Sequence, residues 1–368
     1  YKIAYDFSRS KENGIAKTMI SQITEAVFSR QNMNLKDQLA VRYLRSTKEY
    51  RESTIKSLFL DLVENLQKQD QRDIEKKLDL VYDKIGGITD EFFKIIIRSF
   101  LKNMGRGNLE GLIKSISSSL FGVFLSVPFY STLKIMHEGR DLLERINEKF
   151  KLEKSKKGKK ILWFSDTYED LNGVASTVRE ISSLSSANNR DIHIVTTLPA
   201  GSVAGENANV INLESFYDFT LPYYETLKLR MPSMLRAVKE LYPYEPDEIY
   251  ISTPGPVGLL GLLLSRLMNA KCVGIYHTDF AIQTLDLTED DSVYQVVEGF
   301  SRWFYQACDE ILVPTREYID ILEERGIDRT KMKLFKRAID GKVFFPVSYT
   351  HLRAHETVLD LVCRLLLE

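Results

Sequence analysis

The chain has 368 residues, enough for about two to three domains, and its 44% apolar content can supply their cores. Fifty basic against 51 acidic residues leave a formal net charge of -1, which excludes a global field suited to nucleic acid. Cys272, Cys308 and Cys363 show neither CxxC spacing nor an even-numbered framework, which excludes a disulfide scaffold and a cysteine zinc cage and leaves buried free thiols in a reducing compartment.

No basic stretch followed by an apolar run opens the chain, so no signal peptide is expected. From Gly14 to about Lys149 apolar residues recur at helical spacing, as in Ile15, Met19, Ile20, Ile23 and Val27, then Ile55, Leu58, Phe59, Leu62 and Leu66. Residues 1–150 therefore read as an all-helical region. Its helices over Asp73 to Tyr82 and Asp90 to Leu101 are separated by the turn-forming pair Gly86-Gly87, and Gly105-Arg106-Gly107 marks another break before a helix from Leu133 to Phe150. Ser115 to Leu133 carries no formal charge and nears bilayer-spanning length. Gly122, Pro128 and many hydroxyl groups interrupt it, so a buried or surface-resting helical hairpin is expected and a spanning helix is the alternative. His137, in a charged stretch, reads as a surface residue.

Lys154, Lys156, Lys157, Lys159 and Lys160 then crowd a short polar stretch, and the apolar period changes from helical to strand-like. Residues 151–158 read as a basic, solvated linker, with attraction to anionic lipid headgroups, at about 1 kcal/mol per basic residue, as the alternative. Beyond it, strands are expected over Ile161 to Ser165, Ile192 to Thr197, Val210 to Leu213, Glu248 to Ser252, Cys272 to Tyr276, Glu310 to Pro314 and Lys331 to Phe335. Helices are expected over Val174 to Ala187, Pro222 to Leu241, Val257 to Met268, Ser292 to Ala307 and Arg316 to Arg325. Strands alternating with helices, several of them apolar throughout, imply an α/β fold with a doubly wound parallel sheet of Rossmann-like type covered on both faces. Ligands of such sheets bind where strand ends enter helix N-termini.

The first strand runs into a loop ending Leu171-Asn172-Gly173-Val174. Its single glycine at the helix start lacks the GxGxxG spacing of a dinucleotide site, so nicotinamide and flavin chemistry is disfavoured. Asn172-Gly173 instead offers helix N-terminal amides to a phosphate or a sugar, or is an ordinary turn. Ser252-Thr253-Pro254-Gly255-Pro256 follows the fourth strand, where Pro256 suits a first helical turn and Gly255 permits close approach to a neighbour or ligand. The fifth strand ends in Tyr276-His277-Thr278-Asp279-Phe280. A histidine at the carboxyl end of a central parallel strand sits where substrates bind, and its ring can donate to a sugar hydroxyl or a developing oxyanion, so His277 is the foremost catalytic candidate. Without a third ligand nearby, His277 and Asp279 make no metal site. Asp279 either orients the imidazole or binds a hydroxyl. Thr315, after Val313-Pro314, is placed to cap the next helix.

In this order, the loop through Asn172-Gly173-Val174, Thr253-Pro254-Gly255-Pro256, Tyr276-His277-Thr278-Asp279-Phe280, Val313-Pro314-Thr315 and Arg337-Ala338-Ile339-Asp340 ahead of Phe345-Pro346 resemble the N-terminal domain of the family 4 glycosyltransferases, which have the two-lobed GT-B architecture. The resemblance covers residues 159–346, about half the chain. It implies retaining transfer of a hexose, often mannose or glucose, from a nucleotide sugar to a lipid or glycan acceptor, in a cleft between two domains, with no cofactor and no required metal. It places Gly173 near the donor phosphates and acceptor and His277 against the donor sugar, with Thr315 approaching the same cleft. Asn172, Val174, Gly255, Thr278 and Asp279 join Gly173 and Thr315 as expected substrate-binding residues. The family's usual Arg-Gly-Val-Asp stands here as Arg337-Ala338-Ile339-Asp340.

The resemblance also implies a second, donor-binding domain beginning near Phe345, and residues 347–368 are too few for one. Val347 to Thr357 fits the family nowhere and looks like translated sequencing-adapter read-through, so a truncated and by itself inactive half of a cytoplasmic enzyme is expected, with the inner face of the membrane as a further location. His351 and His355 are discounted as ligands for that reason. Two other readings remain: a non-catalytic module docking a partner or membrane, and a sugar-nucleotide epimerase on the same two-lobed fold.

Overall fold

The computed structural model describes residues 57–58, 61–62, 64–65, 74–104, 126–135, 146, 149–150, 158–199, 201–202, 209–221 and 224–335. The expectations for Ile15 to Val27, Gly105 to Gly107, His137, most of Ser115 to Leu133, Lys154 to Lys157, Arg337 to Asp340 and the 347–368 tail lie outside these residues.

Seven strands form one sheet: β1 (Ile161–Phe164), β2 (Ile192–Thr196), β3 (Val210–Asn212), β6 (Glu248–Ile251), β7 (Lys271–Ile275), β8 (Glu310–Val313) and β9 (Met332–Leu334). Their order is β3-β2-β1-β6-β7-β8-β9 and each pairing is parallel. Helices α2 (Gly173–Ala187), α4 (Pro256–Leu267) and α7 (Arg316–Glu324) each connect one strand of this sheet to a later one, and α5 (Phe280–Thr288) and α6 (Asp291–Ala307) together span the gap between β7 and β8. The fold class is the α/β, doubly wound, parallel architecture that the alternating pattern predicts.

The pleat sorts the core. Along β1, Leu162 and Phe164 join one cluster with Val257, Leu260 and Leu264 of α4, while Trp163 joins the opposite cluster with Val178 of α2 and Ile194 of β2. Both faces of this strand are buried, which is why its sequence, Ile161-Leu162-Trp163-Phe164, is apolar without alternation.

Two expectations are corrected. The helix expected over Pro222 to Leu241 is an antiparallel hairpin, β4 (Ser215–Leu221) and β5 (Tyr224–Pro232), followed by a shorter helix, α3 (Met234–Leu241). Leu229 and Met231, two apart, turn inward with Arg230 between them largely covered, a period of two that belongs to a strand. The break at Gly86-Gly87 is also absent: α1 (Ile74–Met104) runs through it. Val81, Ile85 and Ile88 are buried along one stripe of α1. A Cβ at Gly86 would stand 3.8 Å from Leu235 Cβ, so the glycine lies where α1 comes close to α3. Packing there outweighs the intrinsic cost of glycine in a helix, about 1 kcal/mol. The Tyr82 hydroxyl donates to the Leu235 carbonyl (2.5 Å), the Ser233 hydroxyl donates to Asp90 (2.7 Å) and Lys239 pairs with Asp79 (3.1 Å). The described part of the helical region is thus docked on the α/β domain. No described helix is long and apolar enough to cross a membrane.

Candidate functional site

The chain runs outward from β1 through β2 to β3, then returns to the other side of β1 as β6. This reversal makes the crevice between the β1 and β6 loops a topological switch point, the place where doubly wound sheets bind ligands. The loops after β1, β6, β7 and β8 therefore lie side by side along the carboxyl edge. They bring Asn172, Gly173 and Val174, then Gly255, then His277, Thr278 and Asp279, then Thr315 onto four neighbouring strands.

Asp166, which sequence reasoning passed over, fills the crevice. Its carboxylate accepts from the Thr253 hydroxyl (2.7 Å) and from the Val257 (2.8 Å) and Gly258 (3.3 Å) amides at the start of α4. The N-terminus of α4 is thereby satisfied by the chain itself rather than left open for a phosphate. Gly255, expected as a substrate-binding position, has Asp166 as its close neighbour: a Cβ there would stand 2.5 Å from the Asp166 Cγ. Burial pushes the Asp166 carboxyl up from 3.8 to about 6, against the opposing pull of the Thr253 and backbone donors.

A carboxyl raised in the folded state binds its proton more tightly there than in the unfolded chain. Its contribution is fully present below about pH 4 and is lost as pH rises through about 6, a change of up to about 3 kcal/mol. Asp166→Asn removes this titration and turns an amide NH2 toward backbone donors, costing about 1–3 kcal/mol. In urea melts, the stability deficit of the variant is expected to be largest near pH 4 and to narrow by pH 7. A deficit constant across that range would contradict the burial of the carboxyl.

The neighbouring N-terminus, that of α2, has the opposite character. The Asn172 side chain caps it by accepting from the Ala175 amide (2.8 Å), and among the described residues no atom beyond its chain neighbours and its own helix turn lies within 4 Å of a Cβ built at Gly173. Leu171 is fully exposed beside them, and Val174 is half-buried. Among the described residues, nothing covers the Gly173 Cα.

His277 follows β7 and is half-buried. Its Nε2 lies 3.3 Å from the Ser252 hydroxyl, and its ring meets Phe335 edge-on at 6.1 Å. Ser252 also receives the indole N–H of Trp163 at 2.7 Å. Thr278 is half-buried beside His277. Asp279 points elsewhere: it caps α5 through the Ile282 amide (3.2 Å) and takes both guanidinium nitrogens of Arg325, at 3.0 and 2.7 Å. Burial works to raise the Asp279 carboxyl, but the Arg325 bonds and the Ile282 amide outweigh it and hold it below its ordinary value. Of the two roles open to it in sequence, orienting the imidazole or binding a hydroxyl, neither is needed to satisfy this carboxylate. Thr315 caps α7 through the Tyr318 amide (3.4 Å) and is exposed.

The Arg325 fork anchors the strand-end loop two residues beyond His277. Arg325 and Asp279 side chains are only 19% and 10% exposed, so removing one charge strands the other. Arg325→Ala is expected to cost about 3 kcal/mol in urea unfolding, and Arg325→Ala with Asp279→Asn less than Arg325→Ala alone. Equal or larger loss in the double variant would show that the pair is not the anchor.

Residues 171–342 match the family model described as Glycosyltransferase Family 4. A sulfoquinovosyl transferase, SQD2, of Arabidopsis thaliana is 24% identical over 157 residues, 42% of this chain and 30% of its own length. A GDP-mannose-dependent alpha-mannosyltransferase of Mycobacterium tuberculosis is 23% identical over 181 residues, 48% of this chain and 46% of its own. An alpha-monoglucosyldiacylglycerol synthase of Streptococcus pneumoniae is 22% identical over 187 residues, 48% of this chain and 38% of its own. The chain spans less than half the length of each of these relatives. The matched segment takes in the loop at the start of α2, the Gly255 turn, the His277 loop and Thr315, and over this segment, a little under half of its length, the chain is similar to Glycosyltransferase Family 4.

Proposed function

We propose that the protein transfers a hexose from a nucleotide-activated donor to a lipid or glycan acceptor with retention of configuration, and that residues 159–346 form its acceptor-side domain. The observation that carries this reading is His277, held at the carboxyl end of a central parallel strand within the segment that matches the family. The relatives support it: one makes a glucosyldiacylglycerol, one takes mannose from GDP-mannose, and two carry an alpha-linked product or activity in their names.

In this reading His277 donates to an oxygen of the donor sugar and stabilises charge as the glycosidic bond breaks. The loop at Asn172, Gly173 and Val174 faces the acceptor and the donor phosphates, with Thr278 and Thr315 along the same edge. No metal or cofactor takes part. The cations that neutralise the departing diphosphate belong to the second lobe of a two-lobed enzyme, so activity is assigned to the complete protein. A cytoplasmic place at the inner face of the membrane suits a protein that brings a water-soluble donor to a lipid.

The test is incubation of the complete gene product with labelled UDP- and GDP-hexoses and a membrane lipid extract or glycan acceptor, followed by product analysis. Labelled, alpha-linked product is expected. Absence of both transfer and donor hydrolysis would sink the reading, and interconversion of nucleotide sugars without an acceptor would identify an epimerase instead.

A further inference from the structure

Three neighbouring strands deliver one chain of hydrogen bonds to His277. Trp163 lies on β1, Ser252 follows β6 and His277 follows β7. Trp163 is 5% exposed and is fixed by stacking on Tyr250, with ring centroids 5.0 Å apart. Its Nε1–H can only donate, and it donates to the Ser252 hydroxyl at 2.7 Å. Ser252 is 1% exposed, so water does not complete its bonding.

A serine hydroxyl has one proton to give. Among the described residues, the Ser252 hydroxyl has two partners, Trp163 Nε1 and His277 Nε2, and the first is a donor. The hydroxyl proton therefore goes to His277 Nε2 or to nothing, and a buried donor left without a partner costs about 1–3 kcal/mol. That cost decides between the two neutral forms of the ring. With Nε2 accepting, the ring proton sits on Nδ1, the form that free histidine disfavours.

We infer that Ser252, polarised and oriented by the Trp163 indole, is a positioning residue that fixes His277 in the Nδ1–H tautomer, with Nε2 facing the sheet as acceptor and Nδ1–H as the donor of the ring. This deepens the proposed reading, since His277 is its central residue. In this form the ring proton sits on the nitrogen that does not face Ser252. The other tautomer would spend its proton on Ser252. Phe335, edge-on to the ring, and the Asp279–Arg325 fork hold the loop in register while the hydroxyl sets the proton.

The tautomer is directly measurable. The full chain, labelled with 15N-histidine and held near pH 8.5 (about two units above the ordinary histidine pKa), is observed by long-range proton–nitrogen correlation. This experiment separates a protonated from an unprotonated ring nitrogen. His277 signals are identified by their loss in His277→Gln. The expected pattern is unprotonated Nε2 and protonated Nδ1. In Ser252→Ala the major form should switch to Nε2–H, and in Trp163→Phe the Nδ1–H fraction should fall, because the freed serine lone pair can then accept from Nε2–H. Protonated Nε2 in the unsubstituted chain overturns the inference. So does an unchanged pattern in Ser252→Ala with native near-ultraviolet circular dichroism. If Ser252→Ala does not fold, the unsubstituted chain and Trp163→Phe decide the matter. No sugar nucleotide enters the measurement, so the inference and the assigned reaction can fail separately.

Discussion

His277→Ala is expected to lower kcat for sugar transfer by the complete protein about 100- to 1,000-fold, the usual effect of removing one donor aimed at charge that develops in a transition state. KM for the acceptor should change far less, because the ring is assigned to the donor sugar. Folding should survive: the ring is half-buried, and the stranded Ser252 hydroxyl costs about 1–3 kcal/mol. His277→Gln, which keeps a donor, should recover part of the rate. Activity of His277→Ala within a few-fold of the parent protein, at equal folded fraction, would remove His277 from the reaction.

Gly258→Ala should be the most damaging small substitution in the sheet domain, costing at least about 3 kcal/mol or abolishing soluble expression. A Cβ at Gly258 would overlap the Thr253 carbonyl oxygen and stand 2.9 Å from Ile251 Cγ2. The first is backbone and the second belongs to the stiff, β-branched side chain of buried Ile251, so neither can move aside readily. Displacing α4 would also pull the Val257 and Gly258 amides off Asp166. Gly299→Ala is the matched control: it lies within α6 with nothing among the described residues within 4 Å of its Cβ, and should stabilise by about 0.5–1 kcal/mol. Urea unfolding of the two variants beside the parent measures both effects, and parent-like stability of Gly258→Ala would refute the packing of α4 against β6.

Much of this architecture is legible in the residues because its strands are buried on two faces or end in turn chemistry. Ile161 to Phe164 could not be a surface segment, and the seven strands lie where their apolar runs lie. Single-element reading fails where the partner decides. Gly86-Gly87 looks like a break until α3 is laid across it, and the Ser215 to Pro232 segment hides a two-residue period among aromatic residues that also suit a helix. Among the functional candidates, His277 was visible because it follows a buried strand, a purely local cue. Ser252, Asp166 and Arg325 were not, since each acquires its role from partners 25, 91 and 46 residues away.

The sequence by itself determined the alternation of strand and helix, the parallel doubly wound class, and the gathering of Asn172, Gly173, Gly255, His277 and Thr315 at strand ends, because burial period and turn residues are local properties. Only the tertiary structure decided which strand ends are neighbours. Once β6 returns beside β1, Asp166 seals the N-terminus of α4, α2 keeps the open glycine, and Trp163 and Ser252 reach His277. A hydrogen bond exists only when two groups far apart in the chain are brought within about 3 Å, and no pattern of residues along the chain encodes that distance.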